Sequence, residues 1–539
     1  MSLPNVAPHP SSLAALADRA WSACAETTFN AGWTPLTRLS EMAAVSVLRK
    51  IQVGYLTVQT KSQLYQFPEE NPLNTRPNLT GHLNVKNDAF WVRLCLMSDL
   101  GFSEAFMYGD VECNDLMTVF EIFMENQQYI SQSSSKLSSL FSLLQKTTAY
   151  RFANSIGNSR ANISAHYDIS NDMFAGFLSD DMTYSCAIFP ELDGDLKSSY
   201  SSEDQDAQRR AKLLVELPPS PPSSEPNEDI LPLLEVPTAI SDPPTTFDAT
   251  IPNSDPLYLA QIRKLQHIID KLHVPGPKQS GEPVCILEIG SGWGALAIRL
   301  AEQYPHVEID TLTLSSAQQE LAEERIAAQG SDISGRIRVH LMDYRNMPKE
   351  WAGRFSRFVS VEMIEAVGIE FMETYWSMVD WAMEDRNSVG VVQVITIPES
   401  RFEKYKNDID FIRKWVFPGG VLPTLTYLIS TLNTASKGQL VVDSVSNIGP
   451  HYARTLREWR RRFEAKFEAV VWPALQKEYI SRTNGESGDL SRADAEVFRR
   501  KWIYYYCYCE IGFTTRTLGD HIITFAREGA QEYGCETFS

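Results

Sequence analysis

In the run Glu288-Ile289-Gly290-Ser291-Gly292-Trp293-Gly294, glycine recurs at every second position after an acidic residue. Without a Cβ, such a run lets the backbone approach a bound molecule closely and turn through conformations other residues avoid. The dinucleotide fingerprint is Gly-x-Gly-x-x-Gly; here the third glycine comes one residue early. Glu288 stands where a carboxylate would favour a cationic ligand by Coulomb attraction. Thr313, Ser315 and Gln318 offer neutral hydrogen-bonding groups, and Asp343-Tyr344 offers a carboxylate able to accept from an exocyclic amino group. Asp310 stands early for the ribose-binding place at the end of a second strand. Each of these side chains also suits a helix cap or a turn.

The elements that must position these residues follow from the apolar pattern. Residues 284–289 read as a buried strand feeding the glycine run, and 295–303 as the helix it opens. A strand at 307–314 and a helix at 317–328 come next, then strands at 337–342, 357–363 and 389–397. Strands alternating with helices predict an α/β fold, a Rossmann-like parallel sheet with helices on both faces. Ahead of it, 53–58, 83–85 and 90–92 read as strands and 116–124 as a helix, a smaller mixed unit. Residues 1–30 read as a loose start. Residues 191–256 are rich in Ser, Pro and acidic side chains, with Pro218-Pro219-Ser220-Pro221-Pro222 at their centre. Such a composition cannot bury enough apolar surface to offset its ordering entropy, so it predicts a disordered insertion.

Composition bounds the function. A net charge of -19 disfavours nucleic acid and gives no basic stripe to bind it. The first residues lack a basic segment followed by an apolar one, which argues against a secretory signal, and no apolar window is long enough to span a bilayer. Cys507 and Cys509 are the only close pair of thiols, and C-x-C within an aromatic run is not a zinc spacing, so no metal site is predicted. The scattered cysteines fit a reducing, cytoplasmic setting. Leu456, Trp459, Phe463 and Phe467 recur at helical spacing among Arg454, Arg457, Arg460, Arg461 and Arg462. That pattern predicts a basic amphipathic helix able to dock on anionic headgroups.

Gly-x-Gly-x-Gly after an acidic residue resembles the S-adenosylmethionine (SAM) loop of methyltransferases. Gly290 to Gly294, Thr313-Leu314-Ser315 with Gln318, and Asp343-Tyr344-Arg345 together resemble the cyclopropane-fatty-acyl-phospholipid synthases, which include the mycolic acid cyclopropane synthases. Further segments carry the likeness in order: His166-Tyr167-Asp168 with Asn171, Thr183-Tyr184-Ser185-Cys186-Ala187, Glu362 to Gly368, Phe417-Pro418-Gly419-Gly420 with Leu422-Pro423, and His451-Tyr452 with Thr455-Leu456 and Trp459. Leu100 to Gly109 is weakly similar to the lipid-side domain of the phospholipid-modifying members.

The resemblance implies transfer of a one-carbon unit from SAM to the cis double bond of an unsaturated phospholipid acyl chain. An alkene is a poor nucleophile, so the methyl must be held in line at about 3–3.5 Å. The resulting cation needs aromatic faces and no water; Tyr184, Phe411, Trp415, Phe417, Tyr452, Tyr505 and Tyr508 are candidates. Ring closure requires loss of a proton from the new methyl group. In the family the acceptor is bicarbonate, and the resemblance assigns its holders as Glu365, Tyr452, Cys186 and Gln393, with Cys509 falling where a cysteine was once proposed to act. Tyr184, Ser185, Glu288, Gly290, Gly292, Gly294, Thr313, Ser315, Gln318, Asp343 and Tyr344 are the expected SAM-binding set. Ala366 and Gln393 stand where bacterial members often carry His, so a C-methyltransferase leaving a methyl or methylene branch stays open, as does a non-catalytic lipid- or SAM-binding protein. The implied organisation is a lipid-side domain over 31–150, the start of the catalytic domain over 151–190, the insertion, and the SAM-binding domain with its acyl-chain cover over 257–539. A cytoplasmic protein in peripheral contact with membrane is expected; a homodimer is one possible assembly.

Overall fold

The computed structural model describes residues 34–69, 75–131, 170–197, 255–482 and 490–531. The loose start, residues 166–169 of the His166-led motif and most of the Ser/Pro-rich insertion lie outside the described residues. In the N-terminal unit, α1 (Thr34–Leu48), α2 (Ala89–Met107) and α3 (Leu116–Glu125) accompany a four-stranded sheet. Its strands are β1 (Tyr55–Gln59), β2 (Leu64–Phe67), β3 (Thr80–Val85) and β4 (Val111–Cys113), in the order β2-β1-β3-β4. Along β3 burial alternates, with Leu83 and Val85 inward and His82 and Asn84 outward, as a half-buried strand requires. Asp115 caps α3 by accepting from the Met117 N–H at 3.0 Å. The strand expected at 90–92 is instead the first turn of α2, where Phe90, Trp91 and Val92 are all buried. A short apolar run does not reveal its own period; the apolar residues through Met107 complete a helix.

The larger unit is a seven-stranded sheet of β5 (Val284–Ile289), β6 (Val307–Thr313), β7 (Ile337–Leu341), β8 (Arg357–Val361), β9 (Val389–Thr396), β10 (Leu440–Asn447) and β11 (Gly519–Arg527). The order is β10-β11-β9-β8-β5-β6-β7, parallel from β9 to β7, with β11 antiparallel to both β9 and β10. The principal helices are α4 (Pro256–Leu272), α5 (Ala295–Gln303), α6 (Ser316–Ala327), α7 (Met372–Ala382), α8 (Leu425–Ala435), α9 (Gly449–Lys466) and α10 (Arg492–Thr514). Two cores result, one per sheet face. Ile286, Ile309 and Val391 meet α4 and α5 on one side. Leu287, Phe358 and Val392 meet α7 and α8 on the other. The parallel α/β sheet expected from the sequence is present, extended by an antiparallel pair that the sequence reading missed. Among the described residues no helix is long and apolar enough to cross a membrane.

The two units are joined through α10. Tyr504 is buried with its ring 5.3 Å from Phe120 and 6.3 Å from Phe102 of the N-terminal unit, and 4.6 Å from Phe411. Lys414 adds an ion pair to the nearly buried Glu104 at 2.5 Å.

The docking role expected of the arginine-rich helix is overturned. On α9, Leu456, Trp459 and Phe463 are fully buried in the core, so the apolar face is not available to a membrane. The arginines are paired: Arg457 with Asp195 at 2.8 Å and Glu510 at 3.3 Å, Arg460 with Glu510, Arg461 with Glu458, and Arg462 with Asp255 at 2.8 Å. Asp195 and Asp255 stand just before and just after the stretch 198–254, so α9 holds the described residues on both sides of it.

Two predictions follow from this packing. Gly390 on β9 lies opposite Phe525 on β11, and a Cβ there would come within 2.3 Å of the ring. Gly390→Ala is expected to cost about 1–3 kcal/mol in urea unfolding, with part recovered by adding Phe525→Leu. The second concerns Asp195 and Asp255. Burial works to raise their pKa values, but hydrogen bonds and charge from Arg457 and Arg462 outweigh it and hold both below the usual range. Their folded pKa being depressed, the stabilisation is full above the unfolded value of about 3.9 and is lost as pH falls through the folded one. Melting of an Arg457→Ala/Arg462→Ala variant should fall below wild type at pH 7, and the gap should narrow below about pH 4.

Candidate functional site

A cleft with about 1300 Å³ of free space opens beyond the carboxyl ends of β5, β6 and β8. β6 continues the sheet on one side of β5 and β8 on the other, so this is the point where strand order reverses, the usual ligand site of such sheets. The glycine run forms the floor. Gly290, Gly292 and Gly294 have φ of +102°, +49° and +86°, the left-handed region that favours glycine. A Cβ at Gly290 would also approach Met363 to 3.1 Å.

Of the residues expected to bind SAM, Tyr184, Ser185, Glu288, Gly290, Gly292, Thr313, Gln318, Asp343 and Tyr344 line this cleft. Gly294 and Ser315 do not line it; they cap α5 and α6, Ser315 by accepting from the Gln318 N–H. Thr313 donates to Gln318 Oε1 at 2.8 Å, which orients the Gln318 amide. Asp310 is committed elsewhere, to Arg338 at 2.9 Å, His340 at 2.8 Å and Arg354 at 3.2 Å. Asp343 caps the turn 344–346 and pairs with Arg345 at 2.6 Å. Glu288 is buried and accepts from Thr311 Oγ1 at 2.6 Å; burial pushes its carboxyl up to about 8. A cation placed against it would pull that value down.

In the wall of the same cleft lies a polar cluster centred on Glu362, a residue not among the expected site residues. Glu362 directly follows β8, with φ of +46° that turns its side chain inward. Its carboxylate accepts from the Cys186 N–H at 2.8 Å and from Gln393 Nε2 at 2.8 Å through one oxygen, and from the Tyr452 hydroxyl at 2.6 Å through the other. Three of the four residues expected to hold bicarbonate therefore converge on Glu362. Gln393 Nε2 also donates to Asp520 Oδ2 at 2.8 Å, and Lys264, wholly buried, donates to Ser185 Oγ at 2.6 Å. Glu365, the fourth, is bound at one oxygen by the Ile395 N–H at 2.6 Å; its other oxygen has no partner. Burial, then the charge of Glu362, pushes Glu365 up to about 8. Burial and the neighbouring Glu362 also push Asp520 well above the usual range. Close carboxyls in a dry pocket cannot all ionise. Burial raises Glu362 as well, but its three hydrogen-bond donors and the charge of Lys264 oppose that rise, so of the three carboxyls it is the one best supported as an anion. A bound bicarbonate does not fit this arrangement, because its donors are occupied by a resident carboxylate.

The cysteines stay outside the chemistry. Cys186 Sγ is buried and its contribution is the backbone N–H; burial raises its thiol well above the usual value. Cys509 does not line the cleft, and burial raises its thiol strongly, so it stays protonated and a poor nucleophile. Of the aromatic candidates, Tyr184 lines the cleft and its hydroxyl meets that of Tyr505 at 3.1 Å. Phe417 lies 6.1 Å from Tyr505, and Tyr452 stacks on Phe513 at 4.5 Å. Phe411 and Tyr508 pack around Tyr504, while Trp415 meets Tyr108 at the N-terminal unit. A carboxylate at a strand end was the available signal for Glu362; its inward turn was not visible in the sequence.

Comparison with known proteins supplies the family. A family profile described as mycolic acid cyclopropane synthetase matches residues 155–214 and 249–506, more than half the chain. The chain is 31% identical to tuberculostearic acid methyltransferase of Mycobacterium tuberculosis, over 80% of this chain and 79% of that relative. It is 26% identical to the cyclopropane-fatty-acyl-phospholipid synthase of Escherichia coli, over 83% of this chain and 87% of that relative. The structure of a mycobacterial cyclopropane synthase covers 68% of this chain and 98% of its own, at 20% identity and a TM-score of 0.45. With the profile matching more than half the chain and a relative 31% identical over 80% of it, the chain belongs to the mycolic acid cyclopropane synthetase family and is a SAM-dependent methyltransferase.

Proposed function

We propose that this enzyme transfers a one-carbon unit from SAM to the cis double bond of an unsaturated phospholipid acyl chain and closes a cyclopropane ring. The observation carrying this reading is the placement of a proton-accepting cluster in the wall of the same cleft as the glycine floor, with Glu362 lining the cleft beside Gly290 and Met363. Simple methyl transfer to nitrogen or oxygen needs no such buried carboxylate cluster. SAM supplies an electrophilic methyl group. Gly290 and Gly292 give its backbone-side approach, Thr313 and Gln318 serve the ribose, Asp343 and Tyr344 the adenine, and Glu288 the positive charge. Tyr184, with Tyr505 and Phe417 behind it, offers aromatic faces to a carbocation and keeps water away. Glu365, Gln393, Cys186 and Tyr452 shape the pocket that removes the proton, and no step is assigned to bicarbonate.

A second reading, a different end to the same cation that leaves a methylene or methyl branch, is favoured by the resemblance to tuberculostearic acid methyltransferase. Either product is met at a membrane surface from the cytoplasmic side in our reading, without a membrane-spanning helix among the described residues.

Replacing Gln318 by Ala should weaken SAM binding about tenfold by calorimetry, the loss of roughly one hydrogen bond, about 1.4 kcal/mol. Lipids should be analysed from a host rich in cis-monounsaturated phospholipid that expresses the wild type or Gly290→Val, whose side chain would strain the backbone and strike Met363. Chains gaining CH2 and showing cyclopropane proton signals, absent with the variant, support the ring-forming reading. Olefinic or branched-methyl signals on chains of the same added mass select the second reading. No altered lipid from a SAM-binding wild type would defeat both.

A further inference from the structure

We propose that the Glu362 carboxylate is itself the base of the reaction, so that the protein carries in its own chain the proton acceptor that its relatives by resemblance take from solution as bicarbonate. This deepens the functional reading above and rests on it.

The geometry makes the case. A bicarbonate held at this place would need hydrogen bonds from the residues named for it by resemblance. Here the Cys186 N–H, Gln393 Nε2 and the Tyr452 hydroxyl already reach Glu362, at 2.8, 2.8 and 2.6 Å. Its side chain is partly buried and forms part of the cleft wall with Gly290 and Tyr184, which brings a carboxylate to where a transferred methyl group must pass. Its backbone is held at φ +46°, an unfavourable conformation for a non-glycine residue, and its N–H is tied to Gln393 O at 2.8 Å. Strain of that kind persists only where surrounding structure enforces it, and it clusters at functional sites. The charge of the buried Lys264 draws Glu362 toward ionisation, even as burial lowers the lysine's own pKa, while burial and Glu362 push Asp520 and Glu365 upward.

The step balances without another reagent. The π pair of the acyl double bond forms a C–C bond to the methyl carbon as the C–S bond breaks and its pair stays on sulfur. The neighbouring acyl carbon becomes cationic. A C–H bond of the new methyl group then breaks, its pair closes the second C–C bond, and the proton passes to Glu362. Carboxylate and cation disappear together, leaving a neutral acid that returns its proton to solvent after product leaves. If a 1,2-hydride shift first moves the cation to the methyl-bearing carbon, loss of a proton from the new methyl group to the same carboxylate gives the methylene product.

The test combines turnover with a binding measurement that needs no lipid. Wild-type turnover in decarbonated buffer should change less than twofold when bicarbonate is added to tens of millimolar. Glu362→Gln, which keeps the shape, should lose about 100-fold or more in turnover, the range of a general base, while binding SAM within about threefold of wild type. Glu362→Gly suits the left-handed backbone and vacates the anion place. 13C-bicarbonate should show exchange broadening with this variant and none with wild type, and bicarbonate should restore part of its turnover. Wild-type turnover that collapses without bicarbonate, wild-type protein that binds 13C-bicarbonate, or a Glu362→Gln variant keeping half its turnover would each overturn the assignment. If no lipid is altered by wild type, the reaction reading fails, and the bicarbonate-binding comparison still decides which anion occupies the pocket.

Discussion

Burying several carboxyl groups beside one ammonium is the constraint around which this molecule is arranged. Glu288 and Asp520 are almost fully removed from water, Glu362 and Glu365 are partly buried beside them, and Lys264 is the buried cation among them. Each ion would be costly alone. The fold meets that cost by bringing polar groups from distant elements: Cys186 from the segment before 198, Gln393 from β9, Tyr452 from α9 and Asp520 from β11. Because β11 pairs antiparallel to β9, its first residues reach the same end of the sheet at which the parallel strands finish. The antiparallel pair is thus part of the site as well as of the sheet.

The aromatic mass serves the same constraint from the other side. Trp459, Trp502 and Tyr506 are buried around Phe177, and Tyr184 packs against Trp459 at 5.0 Å. Such a wall lowers the local dielectric, which strengthens the hydrogen bonds that hold Glu362 and denies water to a cationic chain. Tyr504 of the same helix, α10, carries this packing into the N-terminal unit, so the unit expected to face lipid shares a core with the cover of the cleft.

Much of this was legible in the sequence. β5 and β9 are runs rich in Val and Ile that are buried at nearly every residue, and the glycine floor between strand and helix has a fixed chemistry. β10 was missed because only its alternate side chains are shielded, and its Asp443, Ser444 and Ser446 read as loop. Phe90 to Val92 was misread because three apolar residues have no period of their own. The amphipathic pattern of α9 was real, but periodicity cannot say whether the apolar face meets lipid or core. Glu362 escaped notice because burial and a left-handed backbone are properties of the folded chain. The resemblance pointed three residues on, to Glu365, whose pKa is raised by burial and by the charge of Glu362, beside the centre of the cluster.

The anchoring of Asp195 and Asp255 to a single helix has an evolutionary reading. The entropy of joining two fixed points grows only logarithmically with the chain between them, about 0.6 kcal/mol for each doubling. With both ends clamped by Arg457 and Arg462, residues could be gained or lost between them with little effect on the clamps or on the Cys186 segment that precedes them.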